Sequence, residues 1–193
     1  MNTIIFATNN ENKVLEVRSI LKEKFKILSL KEAGIDIDIP EPFDTLEENA
    51  FEKARVINQL VHQNCFAEDT GLEVESLNGQ PGVKSARYAG EERSFEKNID
   101  KLLRNLQNKE NRKAQFRTVV CFIENGQQKL FEGTCKGIII AERRGISGFG
   151  YDPVFVPEGS DKTFAEMSVE QKNIFSHRKK AIGKLISYLN SEK

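Results

Sequence analysis

The sequence has 193 residues and 38% hydrophobic side chains, which is enough for one substantial core or two packed lobes without disulfides. Lysine and arginine together number 29, as do aspartate and glutamate, so the formal net charge is zero. A neutral chain has no overall field that attracts nucleic acid or an acidic membrane surface, and neither partner is expected.

The cysteines and the N-terminal segment suggest a cytoplasmic protein. Cys65, Cys121 and Cys135 form no CxxC pair, which argues against a zinc site or a disulfide framework and favours buried, reduced thiols. The apolar run Ile4–Ala7 is too short for a signal peptide or a membrane span.

The first half of the chain alternates predicted strands and helices. A strand over Thr3–Ala7 is followed by a polar turn and a helix with its apolar face at Val14, Val17 and Leu21. A second strand, a long helix and a third strand are expected next, over Ile27–Leu30, from Leu46 to Val61 and over Cys65–Ala67. A turn is expected immediately after Ala67.

The second half is richer in strands. Ser94 is expected to cap a helix that begins at Phe95. Strands are then predicted over Gln115–Glu124, Lys129–Glu132 and Gly137–Ala141, the first two joined by an Asn125-Gly126 hairpin. Two terminal helical segments follow, the first with a capping box at Ser168 and Gln171. We predict one α/β domain over residues 1–193, with a mixed sheet, two lobes, a central cleft and no separable linker.

Two stretches of the first half are candidates for binding phosphate and metal. In "ATNNENK", Thr8, Asn10 and Lys13 surround a helix start, where free N–H groups favour an anion, although an ordinary N-capped helix explains the pattern equally well. Asp69, with Glu41 from the preceding loop, offers carboxylates that a magnesium ion would accept. Solvated acids in a turn remain the alternative there, and Glu68 should point away from Asp69 if the strand persists.

Two further stretches lie near the C-terminus. In "SGFGYDP", Gly148 and Gly150 let the backbone approach a ligand, Phe149 and Tyr151 offer rings for stacking, and Asp152 offers an acceptor, although aromatic packing in a tight turn would look the same. The run "KNIFSHRKKA" carries three candidate basic residues, although such a run is usually a solvated helix face: Lys172, His177 and Arg178.

Taken together, the motifs "ATNNENKVLEV", "ENAFEKA", "EDTGLEV", "PGVKSARYAG", "GFGYDPVF" and "NIFSHRKKA" resemble the inosine triphosphate pyrophosphatase family along nearly the whole chain. The resemblance implies an elongated mixed α/β fold with a central cleft, a homodimer and a magnesium cofactor. It also implies hydrolysis of ITP, dITP and XTP to the monophosphate and pyrophosphate.

Site residues follow from the resemblance position by position. Glu41 and Asp69 would hold magnesium, with Asp69 also the general base. Residues expected on the triphosphate side or lining the same cleft are Thr8, Asn9, Asn10, Lys13, Asn49, Lys53, Thr70 and Lys172. Residues expected around the purine are Phe149, Gly150, Tyr151, Asp152, His177 and Arg178.

One departure from the family pattern concerns Asn9, which stands where many members have glycine. Because Asn tolerates positive φ better than most residues, we expect the phosphate-binding turn to keep its conformation with Asn at this position.

Two alternatives to this function remain. One is a pyrophosphatase of the same architecture that acts on modified pyrimidines or methylated nucleotides, which "GFGYDP" followed by "SHR" disfavours. The other is a catalytically idle nucleotide sensor, which the presence of both Glu41 and Asp69 disfavours.

Overall fold

The structure is a computed structural model that describes residues 3–21 and 25–191. Its strands are β1 (Thr3–Phe6), β2 (Lys26–Leu28), β3 (Cys65–Val74), β4 (Pro81–Gly82), β5 (Lys113–Glu124), β6 (Gln127–Ile139) and β7 (Phe155–Pro157). Its α-helices are α1 (Glu11–Leu21), α2 (Leu46–Val61), α3 (Phe95–Asn105), α4 (Val169–Phe175) and α5 (His177–Ser191).

The strands form a mixed sheet in the order β2-β1-β3-β5-β6-β7, with β4 paired to β3. Strand β1 is parallel to both β2 and β3, since helices α1 and α2 make the crossovers that parallel neighbours require. Pairs β3–β4 and β6–β7 are antiparallel. The predicted α/β class with a mixed sheet is confirmed.

The chain divides into two compact units, and neither is one continuous segment. The first unit comprises Met1–Asp69, Thr118–Gly133 and Arg178–Lys193, and the second comprises Thr70–Arg117 and Thr134–His177. Strands β3, β5 and β6 each continue from one unit into the other. The expectation of one domain without a separable linker stays a prediction.

The core of the first unit joins β1, β3, α1 and α5. The rings of Phe6 and Phe66 stack with centroids 4.4 Å apart. Helix α1 buries Val14, Val17 and Leu21, as its periodicity predicts. Each buried side chain of this size contributes about 1.5–3 kcal/mol, so this face attaches the helix to the sheet.

The core of the second unit is built around aromatic side chains. Phe116 packs edge-on against Phe155, with centroids 4.7 Å apart, and also lies beside Phe164. Helix α3 adds Ile99 and Leu102, and the predicted cap is present because the Ser94 hydroxyl accepts a hydrogen bond from the Lys97 N–H.

The turn predicted after Ala67 is wrong, because β3 continues to Val74. Gly71 does not have the positive φ that a turn glycine often has, and its role is steric: a Cβ there would lie 2.7 Å from the Gly82 carbonyl oxygen on β4. Glycine at this position therefore allows two strands to approach closely.

The two strands predicted around Gly133 are one strand, β6, which ends at Ile139. Its Gly137 is again required by close packing, because a Cβ would lie 2.2 Å from the Val156 carbonyl oxygen. The Asn125-Gly126 hairpin is confirmed, since both residues have positive φ.

The expectations for the cysteines are also met, because Cys65, Cys121 and Cys135 are buried free thiols. Within the part of the chain that the structure describes, every helix is too short or too polar to cross a membrane.

Candidate active site

The turn between β1 and α1 is organised by its own polar side chains. The Asn10 N–H donates to the Thr8 hydroxyl oxygen at 3.1 Å, and the Lys13 N–H donates to Asn10 Oδ1 at 3.3 Å. Asn10 thereby caps helix α1. The Thr8 hydroxyl group and the Asn10 amide group can still donate hydrogen bonds to an anion at this helix end.

Asn9 does not need the positive φ that its place in the turn suggested. Among the described residues, it is not one of the non-glycine residues with positive φ. Its Nδ2 donates to the Ile37 carbonyl oxygen at 3.3 Å, which ties the turn to the loop before Glu41.

Glu68 and Asp69 take different partners because side chains alternate along β3. Glu68 meets the Lys13 ammonium at 3.2 Å and the Arg178 guanidinium at 2.8 Å. Asp69 instead meets the Lys53 ammonium at 3.0 Å. The expected divergence of these two carboxylates is therefore observed.

The cluster around Lys53 contains two carboxylates and one ammonium. Lys53 Nζ donates to Glu41 Oε1 at 2.5 Å and to Asp69 Oδ1 at 3.0 Å. Burial raises the pKa of Asp69, Lys53 lowers it, Glu41 raises it, and the net direction is upward. The pKa of Lys53 is also raised, despite its burial, by both carboxylates. Burial and the charge of Glu41 thus favour the protonated form of Asp69, and the two carboxylates favour the protonated form of Lys53.

The second carboxylate oxygen of Asp69, Oδ2, differs from the first in its contacts. It is buried and accepts no hydrogen bond within the described residues. A buried carboxylate oxygen without a partner costs about 1–3 kcal/mol or more, so a water, a metal ion or a ligand is expected to contact this atom.

The carboxylates of this cluster are suited to a magnesium ion whose other coordination positions are filled by water or phosphate oxygens. Magnesium is usually held by one or two protein carboxylates together with waters and substrate phosphates, and Glu41 and Asp69 with its unpartnered oxygen supply that set. Among residues 3–21 and 25–191, no group of three or more His, Cys, Asp or Glu side chains is arranged to hold a metal alone.

Asn49 fixes the loop that carries Glu41. Its Nδ2 donates to the Phe43 carbonyl oxygen and its Oδ1 accepts from the Phe43 N–H, both at 3.0 Å. Asn49 is 1% exposed, so its amide is committed to the loop backbone. The structure therefore gives this residue a positioning role, and its predicted place in a cleft stays a prediction.

In the second unit, Asp152 closes the glycine-rich turn on itself. Its Oδ2 accepts hydrogen bonds from the Phe149 N–H at 3.0 Å and from Lys172 Nζ at 2.6 Å. Gly148 has φ +78°, and a Cβ there would lie 2.1 Å from the same oxygen. Gly150, with φ +62°, completes the turn and has no atom within 4 Å of such a Cβ.

Lys172 joins this turn to helix α4. Its ammonium lies 5.2 Å from the ring centroids of both Phe149 and Phe164, within the range of cation–π attraction. The predicted capping box at Ser168 and Gln171 is confirmed and starts the helix that places this lysine. In this structure its charge lies at the aromatic turn, and the predicted phosphate contact stays a prediction.

Tyr151 and His177 are packed into the second unit's core. Tyr151 is 4% exposed, and its hydroxyl donates to the Ser85 carbonyl oxygen at 2.8 Å. Burial raises the pKa of that phenol. The His177 ring stacks on Phe116 with centroids 4.7 Å apart. Of the two predicted stacking rings, Phe149 is the more accessible, and the roles of Tyr151 and His177 at a purine stay predictions.

Thr70 and Arg178 lie at two of the four points where the chain passes between units. Thr70 follows Asp69 on β3 and is partly exposed. Arg178, in the first turn of α5, is 1% exposed and donates to both oxygens of Glu68 and to Glu16. The charges of these carboxylates raise the pKa of Arg178 despite its burial.

Comparison with known proteins shows which family the chain belongs to. The model of the Ham1 family matches residues 4–188. The chain belongs to the Ham1 family. This membership confirms the resemblance that the six motifs predict.

Relatives within the Ham1 family match over almost their whole length. A dITP/XTP pyrophosphatase of Flavobacterium psychrophilum is 53% identical over 188 residues, which cover 97% of this chain and 99% of that protein. One from Porphyromonas gingivalis is 50% identical over 98% of each chain. The solved Ham1 protein of Staphylococcus aureus has a TM-score of 0.89 and 41% identity over 100% of both chains.

Two residues of this Ham1 family chain were missed by reasoning from sequence. Glu16 lies three positions after Lys13 on α1, a spacing that places both on one helix face and would have marked it as a candidate. Ser85 accepts from the Leu72 N–H through its hydroxyl and from Tyr151 through its carbonyl. No sequence pattern indicated its role, because both contacts are long-range.

Proposed function

We propose that the chain hydrolyses non-canonical purine nucleoside triphosphates, namely dITP, ITP and XTP, to the monophosphate and pyrophosphate. The observation that carries the proposal is Asp69, a buried carboxylate with a raised pKa and one unpartnered oxygen beside Lys53 and Glu41. Names of Ham1 relatives that match the whole chain, such as dITP/XTP pyrophosphatase, support the substrate class.

Asp69 is assigned the role of general base. A raised pKa brings a carboxylate closer to the range in which it takes a proton from water effectively. It would orient a water and accept its proton as the water oxygen bonds to the α-phosphorus. The bond from that phosphorus to the bridging oxygen breaks, and pyrophosphate leaves with the bonding electrons.

The lysines and the helix end are assigned to the phosphates. Lys13, at the start of α1, and Lys53, beside Asp69, bring positive charge to the phosphate chain. Thr8 and Asn10 supply neutral donors in the same turn. Magnesium held by Glu41 and Asp69 would neutralise the charge that develops on the leaving pyrophosphate.

Recognition of the base is assigned to the turn around Phe149. Its ring offers a stacking face, and the hydrogen bond from its N–H to Asp152 holds the turn in place. Donors from His177, Arg178 or nearby backbone would pair with a 6-oxo group and face the 6-amino hydrogens of adenine. Each donor left unpaired costs about 1–3 kcal/mol, so ATP should react about ten to a hundred times more slowly per contact.

We extend the proposal to assembly and location. The family resemblance supports a homodimer, which light scattering coupled to size exclusion would test. Substrates drawn from the nucleotide pool support a cytoplasmic site of action, which fractionation of cells would test.

The function is tested by incubating the purified chain with ITP, XTP, ATP and GTP, with and without Mg²⁺, and identifying the products. We expect pyrophosphate and monophosphate from ITP and XTP, much slower reaction of ATP and GTP, and no turnover in EDTA. Release of orthophosphate, or equal rates for all four nucleotides, would contradict the proposal.

A further inference from the structure

Phe149 lies between two glycines, so its neighbours in the chain do not fix the orientation of its ring. Gly148 and Gly150 have no Cβ, and their φ angles are +78° and +62°. A ring in such a turn takes its orientation from side chains on other elements. Among the described residues these include Lys172, whose ammonium is 5.2 Å from the ring centroid, and Phe95, whose own centroid is 6.1 Å away at an interplanar angle of 49°.

Phe95 is the first residue of α3, and the helix does not need its ring. The Ser94 hydroxyl accepts a hydrogen bond from the Lys97 N–H, and Glu96 brings negative charge to the first turn, so the start of the helix is already stabilised. The Phe95 side chain is 41% exposed. Aromatic rings attract each other at centroid distances of about 4.5–7 Å, so the ring of Phe95 supports that of Phe149.

The start of α3 is itself anchored to the second unit. Asn98, which is 2% exposed, donates to the Ala86 carbonyl oxygen at 2.9 Å and accepts from the Ala89 N–H at 2.6 Å. A ring carried by the first turn of this helix therefore has a fixed position, which a side chain needs if it is to position another.

The chain that leads into the glycine-rich turn is also attached to α3. Arg143 Nη2 donates to Asp100 Oδ1 at 2.6 Å and to the Glu96 carbonyl oxygen at 3.2 Å. Further along, the Ser147 N–H donates to the Ala165 carbonyl oxygen at 3.1 Å. The contact between the two phenylalanine rings is thus one of several that hold this segment against the second unit.

We infer that Phe95 is a positioning residue for base recognition, whose ring holds the Phe149 ring in the orientation on which a purine stacks. The inference rests on the proposed function, which assigns base stacking to Phe149. A ring that is already oriented loses less freedom when a ligand binds, so Phe95 contributes to affinity. Because every purine has a π-face, it serves ITP and ATP alike, and it contributes nothing to a ligand without a base.

The test compares binding of ITP and of inorganic tripolyphosphate, which has no base, by calorimetry in buffer with EDTA. We expect Phe95→Ala to lower the affinity for ITP about fivefold and that for tripolyphosphate less than about twofold. Phe95→Tyr keeps a ring and should bind ITP as the wild-type chain does. Leu130→Ala on β6, where the leucine is 46% exposed, is the matched control and should change neither affinity.

Steady-state kinetics with Mg²⁺ supply a second readout. In Phe95→Ala, KM for ITP should rise about fivefold while kcat stays within about twofold, since the ring acts on binding and not on the reacting phosphate. The ratio of kcat/KM for ITP to that for ATP should change less than about twofold, because both bases stack.

A double-mutant cycle with Phe149→Ala shows whether the effect passes through Phe149. In the Phe149→Ala background, replacing Phe95 should have little further effect on ITP affinity. Thermal unfolding checks that each variant is folded. If Phe95→Ala does not fold, the cycle is run with Phe95→Leu, which keeps an apolar side chain and removes the ring.

Three results would overturn the inference. They are unchanged ITP affinity in Phe95→Ala, equal losses for ITP and tripolyphosphate, and a loss that persists fully in the Phe149→Ala background. If the cycle behaves as expected but ITP is not hydrolysed, the proposed function fails and the inference stands. If Phe149→Ala leaves ITP affinity unchanged, the assignment of the base to Phe149 fails, and the inference fails with it.

Discussion

Glu68 and Asp69 are consecutive on β3, yet each is paired with a different lysine, Lys13 at 3.2 Å and Lys53 at 3.0 Å. The pleat of the strand separates them, so one carboxylate is neutralised by two cations and the other shares one cation with Glu41. Burial raises the pKa of both carboxyls, but Arg178 and Lys13 outweigh it at Glu68, whose pKa is lowered, whereas Lys53 does not outweigh it at Asp69, whose pKa is raised. Adjacent residues of the same chemistry thereby acquire different roles.

Asp69→Asn should abolish most of the turnover. The amide cannot accept a proton from water, and loss of a general base typically costs about 10²–10⁴ in rate. We expect kcat for pyrophosphate release from ITP to fall by about that factor while KM changes less than about fivefold. Asp161→Asn, at an exposed position, is the matched control. If the Asp69 variant keeps most of its activity, another group is the base.

Glu68→Gln should destabilise the fold in a pH-dependent manner. Burial raises the pKa of Glu68, but the charges and hydrogen bonds of Arg178 and Lys13 outweigh burial and lower it from 4.5 to about 2. A lowered pKa stabilises the folded state above the unfolded-state value, and this contribution is lost as pH falls through the folded-state value. The variant should be about 3–5 kcal/mol less stable at pH 7, since it breaks a buried ion pair.

The difference between the wild-type chain and Glu68→Gln should shrink as pH falls from about 4.5 towards about 2. Urea denaturation of both proteins at a series of pH values measures it. A difference that is constant over this range would show that the ionised carboxylate is not the source of the effect.

Gly148→Ala should disrupt the turn that holds Phe149. It would place a side chain at φ +78° and a Cβ 2.1 Å from Asp152 Oδ2, which would displace the acceptor of the Phe149 N–H and of Lys172. We expect KM for ITP to rise about tenfold or more and stability to fall by about 2 kcal/mol or more.

Gly150→Ala provides the matched control for backbone strain. Its φ of +62° is similar, but no atom lies within 4 Å of an added Cβ. It should cost about 1 kcal/mol in stability and raise KM less than Gly148→Ala does. Equal effects of the two substitutions, measured by thermal unfolding and steady-state kinetics, would mean that the contact with Asp152 is unimportant.

Asn49→Ala should loosen the loop that carries Glu41. The substitution removes the hydrogen bonds that the Asn49 amide makes with the N–H and the carbonyl oxygen of Phe43. We expect a stability loss of about 1–3 kcal/mol and a higher Mg²⁺ concentration for half-maximal activity, because Glu41 is no longer held beside Lys53. An unchanged magnesium requirement, determined by titration against a fixed ITP concentration, would contradict the positioning role.

Sequence reasoning succeeded where a local signal determines the structure. Helix α2 spans the predicted residues because its apolar positions recur at helical spacing and Thr45 caps it. The cap at Ser94 and the hairpin at Asn125-Gly126 were predicted for the same reason, since each depends on a few consecutive residues.

The sequence did not predict features that depend on contacts with a distant segment of the chain. Gly71 and Gly137 are required by the backbones of Gly82 and Val156, and nothing in the neighbouring residues shows whether a glycine makes a turn or permits close packing. The partners of Arg178 could not be predicted either, because Glu68 is 110 positions away. Charge pairing between remote elements leaves no periodic trace in a single sequence.

Two of the four boundaries between the compact units fall between consecutive residues of proposed importance, Asp69 and Thr70 in one case and His177 and Arg178 in the other. Truncating the chain at any single point therefore removes part of at least one unit. Producing the first unit by itself would require joining three separate pieces of chain, for example with designed linkers. Limited proteolysis of the whole protein is accordingly a better route than fragment expression for comparing the local stabilities of the two units.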